Sequence, residues 1–154
     1  MAQEIERKYL VTGSVWRATG AGVLIKQGYL VADKDRQVRV RVRQSQAFLT
    51  VKSKPVGITR SEFEYSIPLE DGNEMLQHLC IKPILEKTRY SVIHANALWE
   101  VDEFHGDNKG LLIAEIELSS DAEQIVLPDW IGKEVSTDSR YSNANLVRVP
   151  YCRW

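Results

Sequence analysis

Glu4, Glu6 and Lys8 stand at alternate positions near the start of the chain, separated by Ile5 and Arg7. The same spacing of two recurs in Arg39/Arg41/Arg43, Lys52/Lys54, Glu62/Glu64, Lys87/Arg89, Glu100/Asp102 and Glu115/Glu117. Successive side chains of a β-strand point to opposite faces. Each set therefore gathers its charges on one face and leaves residues such as Val38, Val40 and Val42 on the other. A half-buried sheet shows one charged face to water. Here nearly every strand carries such a face, and the charges are of both signs. That pattern predicts a closed barrel with a wet, charged lumen.

Such a lumen is costly. Taking charges out of water costs several kcal/mol per ion even when they are paired, so stability alone is a poor reason to keep them. The chemistry they suit is polyanion binding. Arginine grips phosphate oxygens bidentately and lysine binds them as a compact charge. Several of these converging from different walls match a linear chain of phosphates. The acids would repel that anion unless a hard cation bridges the two, and Mg²⁺ or Mn²⁺ takes carboxylate and phosphate oxygens together. Two carboxylates at a spacing of two on a strand lie about 7 Å apart. Two such pairs facing each other would hold one or two ions, and the remaining acids would orient the basic side chains.

The elements that must position these groups are strands near 3–11, 23–32, 36–44, 47–54, 61–68, 84–93, 97–104 and 111–119, joined by short turns. Asp33-Lys34-Asp35, Gln44-Ser45-Gln46 and the Gly106–Gly110 run supply turn chemistry, and links this short favour antiparallel hairpins. Ser14 to Thr19 reads as a short helix with Ser14 at its N-cap. Asp71 to Cys80 carries Met75, Leu76 and Leu79 at helical spacing. Residues 122–126 and 128–131 read as short helical turns, and 142–149 as a last helix. The fold expected is mainly β: an eight-stranded antiparallel closed barrel with a few covering helices, in a single domain spanning 1–154. Val38, Val40, Val42, Ile116 and Leu118 would face outward, needing cover from the helices or from the partner of a homodimer.

The bulk composition narrows the function. A formal net charge of -1 over 154 residues argues against a nucleic-acid binder. No apolar run approaches the roughly 20 residues that span a membrane, and no signal-like segment opens the chain, so a cytoplasmic location is expected by default. Cys80 and Cys152 lack metal-ligand spacing, as do His78, His94 and His105. There is no P-loop, Gly-rich dinucleotide motif, kinase signature or nucleophile elbow. Trp16, Trp99, Trp130 and Trp154 are scattered, as core or covering residues would be.

The chain resembles the CYTH family, the triphosphate tunnel metalloenzymes. The resemblance runs in order through Glu4-Ile5-Glu6-Arg7-Lys8-Tyr9-Leu10, Gln27-Gly28-Tyr29-Leu30, Arg39-Val40-Arg41-Val42-Arg43, Leu49-Thr50-Val51-Lys52, Glu62-Phe63-Glu64-Tyr65, Glu86-Lys87-Thr88-Arg89-Tyr90, Glu100-Val101-Asp102 and Ala114-Glu115-Ile116-Glu117-Leu118. Ser139-Arg140-Tyr141-Ser142-Asn143 is similar to the family's C-terminal segment. The resemblance implies an eight-stranded tunnel that binds a small-molecule triphosphate with a divalent metal. Glu4, Glu6 and Glu117 are then the metal ligands, with Glu115 beside them. Lys8, Arg39, Arg41, Lys52, Lys87 and Arg89 hold phosphates, joined by Arg43 and Lys54 nearer strand ends and by Arg140 from the C-terminal segment. Glu62, Glu64, Glu100 and Asp102 serve a second ion or orient the basic side chains. Lys87, with Tyr29 facing inward beside it, and Glu117 carry the catalytic roles. Short chains of this pattern are most similar to inorganic triphosphatases, which cleave tripolyphosphate to pyrophosphate and phosphate by attack of a metal-activated water. The alternatives are an adenylate cyclase, a nucleoside or thiamine triphosphatase, and a non-catalytic polyphosphate-binding module.

Overall fold

The computed structural model describes residues 2–154. Along the chain run β1 (Gln3–Val11), β2 (Val23–Ala32), β3 (Arg36–Arg43), β4 (Gln46–Ser53), β5 (Thr59–Ile67), α1 (Leu69–His78), β6 (Ile81–His94), β7 (Ala97–Phe104), β8 (Leu112–Glu117), β9 (Ile131–Glu134) and α2 (Asn143–Arg148). The strands pair antiparallel in the order β5-β4-β3-β2-β6-β7-β8-β1-β9, and β1 pairs with β5 as well. Eight strands thus close into a barrel. The closing seam is short: Gln3 faces Ser61, Glu4 faces Arg60 and Ile5 faces Thr59.

The ninth strand corrects the reading of the segment after β8. Residues 122–126 are not helical, and 128–131 lead into β9. The reason lies in β1. Past the seam β1 parts from β5 and would leave its backbone groups unpaired. β9 takes that edge, with Tyr9 opposite Glu134 and Val11 opposite Ile131. The Val135 amide donates to the Lys8 carbonyl at 2.8 Å, as does the Thr12 amide to the Trp130 carbonyl. Ser14 is not a side-chain cap either. Val15–Thr19 is a 3₁₀ turn, and the Ser14 carbonyl accepts from the Arg17 amide at 3.0 Å.

Apolar packing lies mostly outside the barrel wall. Tyr9, Trp99, Val101, Ala114, Ile116 and Leu118 turn outward, and Trp16, Ile125, Trp130 and Ile131 cover them. On the opposite side α1 lays Leu76 onto Val40 beside Cys80. Gly72 permits this close approach: a Cβ there would sit 2.6 Å from the Ala47 Cβ. Val40, Val42, Ile116 and Leu118 therefore find cover within their own chain. A third apolar cluster fills one end of the lumen. Tyr29, Leu85, Phe104 and Ile113 point inward there and pack on Ala144, Leu146 and Val147, so α2 stops that end of the barrel. Ser142 caps α2 by accepting from the Asn145 amide. No helix among the described residues is long and apolar enough to cross a membrane.

Candidate active site

The rest of the lumen is a charged bore of about 210 Å³. Every residue lining it except Asn143 is formally charged. Strand register explains the convergence, because directly opposite residues share a face. β1 and β8 set Glu6 against Glu117 and Lys8 against Glu115. β7 adds Glu100 opposite Glu115, and β6 sets Arg89 opposite Asp102. Across the bore, β4 and β5 set Lys52 against Glu62 and Thr50 against Glu64.

Nearly every cation is held by an acid. Lys87 Nζ lies 2.8 Å from Asp102 Oδ2 and donates to Asn143 Oδ1 at 3.2 Å. Arg89 grips Asp102 with two bonds, of 2.7 and 2.9 Å, and reaches Glu100 at 3.1 Å and Glu115 at 3.3 Å. Lys52 lies 3.2 Å from Glu4 and 3.0 Å from Glu62. Glu64 receives Arg41 at 3.2 Å, Arg39 at 3.6 Å and the Thr50 hydroxyl at 2.8 Å. Glu62, Glu64, Glu100 and Asp102 thus each pair with a basic side chain of the bore.

The acids divide into two electrostatic classes. Burial works against charge on Glu4, but Lys52 and Arg60 outweigh it and hold the carboxyl down at about 2. Burial is likewise overcome at Glu115 by Lys8 and Arg89, and at Asp102 by Arg89 and Lys87, so both sit below the usual carboxylate range. Glu6 goes the other way: burial and the nearby Glu115 push it up to about 8. Glu117, directly opposite, is also raised by burial and by Glu4, Glu62 and Glu100. This facing pair is short of positive charge. Its hard oxygen donors, held back from ionising until a cation arrives to offset their charge, fit a divalent ion of the Mg²⁺ or Mn²⁺ kind. Among the described residues no three acidic, histidine or cysteine side chains converge tightly enough to hold an ion alone. Mg²⁺ is ordinarily held by one or two carboxylates together with phosphate oxygens, so a bound triphosphate would complete the coordination.

Lys87 is fully buried, and burial pushes its ammonium down to about 8 against the pull of Asp102. Tyr29 faces the lumen as expected, but Lys87's partners are Asp102, Asn143 and the Phe104 ring, 5.6 Å away. Burial raises the Tyr29 hydroxyl, opposed by the Arg39, Lys8 and Arg60 cations, so it stays a phenol.

Two expected phosphate ligands lie elsewhere. Arg140 does not line the bore; its side chain is 61% exposed, binds Asp138 at 2.8 Å and lies over the Tyr141 and Trp154 rings. Lys54 falls beyond the end of β4 and is exposed. Two groups were overlooked. Arg60 lines the bore and binds Glu4 at 3.0 Å. It shares the parity of Glu62 and Glu64, a signal lost when the strand is started at 61 rather than at Thr59. Asn143 enters from the first turn of α2; it belongs to the C-terminal motif, in which Arg140 drew attention by its charge. Glu4, Glu6, Lys8 and Arg60 also line a wider vestibule of about 550 Å³, with Lys34, Gln37, Ser136, Ser142, Asn145 and Arg148 among its walls.

Residues 2–151 match the CYTH domain. The chain belongs to the CYTH family. An inorganic triphosphatase of Acetivibrio thermocellus is 50% identical over 151 residues, which cover 98% of this chain and 97% of the relative. An inorganic triphosphatase of Nitrosomonas europaea is 39% identical over 147 residues, 93% of this chain and 95% of the relative. A solved crystal structure of an inorganic triphosphatase superposes with a TM-score of 0.65 at 35% identity, covering 93% of this chain and 96% of the other. CYTH triphosphate tunnel metalloenzymes depend on a metal ion.

Proposed function

We propose that this CYTH protein hydrolyses inorganic tripolyphosphate to pyrophosphate and phosphate, with Mg²⁺ or Mn²⁺. The observation that carries the reading is one bore holding a basic wall and an opposed, cation-deficient carboxylate pair, Glu6 and Glu117. The two inorganic triphosphatases that align along nearly the whole chain support it. The bore itself offers charged groups and the Asn143 amide, which suit phosphate oxygens better than a nucleobase.

Lys8, Arg39, Arg41, Lys52, Arg60 and Arg89 bind the phosphate oxygens, and Arg43 adds charge near the end of β3. Convergence from several strands fixes the chain for in-line attack and offsets the charge spread in the transition state. Glu4, Glu6, Glu115 and Glu117 would hold the metal, which supplies charge neutralisation and an acidified water. Lys87 holds a proton at the stopped end of the bore and gives it to the leaving phosphate oxygen. Its value near 8 keeps it protonated at neutral pH yet acidic enough to donate. Tyr29 supports Arg39 from the apolar end.

The test is phosphate release from tripolyphosphate, ATP and thiamine triphosphate side by side, with Mg²⁺, Mn²⁺ or EDTA, scoring cyclic AMP in the ATP reactions. Metal-dependent cleavage fastest on tripolyphosphate is expected. Cyclic AMP as the main ATP product, or binding without turnover, would overturn the proposal.

A further inference from the structure

Gln27 is fully buried on β2, and neither its amide nitrogen nor its amide oxygen has a hydrogen-bond partner. A buried, unpaired amide costs free energy, and the fold gains nothing visible in return. On one flank Gln27 faces Leu85 of β6, which offers no polar side chain. On the other it stands directly opposite Arg41 of β3. Arg41 lines the bore; its Nη2 lies on Glu64 at 3.2–3.4 Å, while its Nε is buried without a partner. A spare acceptor and a spare donor therefore sit on residues whose Cβ atoms lie about 5 Å apart in such a pairing.

Glu64 holds Arg41 loosely. Its side chain is 31% exposed, and its shortest bond in the bore is to the Thr50 hydroxyl, at 2.8 Å. An incoming phosphate competes for the same guanidinium. Gln27 itself is not among the residues lining the bore, so it reaches the contents only through Arg41.

We infer that Gln27 is a positioning residue for Arg41: as phosphate enters, the guanidinium leaves Glu64, Nε donates to Gln27 Oε1, and the two Nη groups fork onto the phosphate. The inference rests on the triphosphate reading of the bore. It explains why a neutral amide is kept unpaired among charges, because its partner arrives only in the loaded state.

The test is Gln27→Leu in the full chain, alone and combined with Arg41→Lys. KM and kcat for tripolyphosphate are measured, together with the melting temperature of the metal-free protein. Gln27→Leu should raise KM about 10–100-fold at nearly constant kcat, the loss expected for one hydrogen bond to a charged group. The metal-free melting temperature should hold or rise, since the unpaired amide is gone. On the Arg41→Lys background the same change should leave KM where it is, because lysine has no Nε–H to position. Wild-type KM, an equal rise on both backgrounds, or a lowered melting temperature would each overturn the inference. An active wild type matched by Gln27→Leu overturns the inference alone. A wild type that neither binds nor cleaves tripolyphosphate overturns the functional reading, and the inference with it.

Discussion

Asp102 is fully buried and is the shared counter-ion of two buried cations, bound to Lys87 at 2.8 Å and to Arg89 at 2.7 Å. Asp102→Ala leaves both with less negative charge than they need. Removing one partner of a buried ion pair typically costs about 3–5 kcal/mol. Arg89 keeps Glu100 and Glu115, so most of the loss falls on Lys87, which keeps the neutral Asn143 carbonyl and the face of the Phe104 ring. For a chain of this length 1 kcal/mol moves the melting temperature by about 2–4 °C, which gives a drop of about 6–20 °C at pH 7. The loss should shrink as pH rises. A lysine whose folded pKa lies below its unfolded value of about 10.5 destabilises the fold while charged. Lys87 already sits near 8, and losing Asp102 lowers it further. Raising the pH from 7 to 9 lets the variant discharge Lys87 and recover. Asp102→Asn, which keeps an acceptor but loses the charge, should fall between. The assay is calorimetric melting of the three metal-free proteins at both pH values. A variant within about 2 °C of wild type at pH 7, or a deficit unchanged at pH 9, would refute the reasoning.

Glu6, raised to about 8 from an ordinary 4.5, contributes stability that is complete below pH 4.5 and is lost as pH rises to 8. Metal-free Glu6→Gln should therefore lose less melting temperature between pH 5 and 8 than wild type, and parallel curves would count against the assignment. Glu117→Ala, at an exposed strand end, should fold normally yet need at least about 10-fold more metal for half-maximal tripolyphosphate cleavage; titrating Mn²⁺ against rate tests this, and an unshifted midpoint removes Glu117 from the metal site. Arg140→Ala should leave kcat/KM within about twofold, because an exposed ion pair contributes little; a tenfold loss would bring Arg140 back to the substrate.

The alternation of charge and valine made the barrel legible, because parity on a strand is a local property. Arg39, Arg41, Lys52 and Arg89 needed only their spacing to be assigned inward. Pairing across the closed wall was not legible. Lys87 meets Asn143 across 56 positions of sequence, and nothing local marks that neutral side chain as the end of the bore. β9 forms because β1 parts from β5, a consequence of closure geometry that its four residues do not announce. Arg140 misled in the opposite sense: it is basic, lies in a family motif, and is satisfied by Asp138 two residues away. Gln27 carries no charge, so a search for charge passed over it.

The architecture separates stability from function by face. Tyr9, Trp16, Trp99 and Ile116 supply apolar burial outside the wall, and α1 and α2 add two further clusters. The lumen is thereby released from serving as a core and can hold charges that stability alone would remove. Those charges are not balanced group by group. Glu4, Glu115 and Asp102 are held ionised by neighbouring cations, whereas Glu6 and Glu117 are held back from ionising. A bore in which all acids were satisfied would be a sealed network of salt bridges with no affinity left for a cation. One in which none were satisfied would not close. The division places the deficit at the β1–β8 pair, opposite the arginines of β3, where a cation and a polyanion can enter together and each offset the charge that the other cannot leave unpaired.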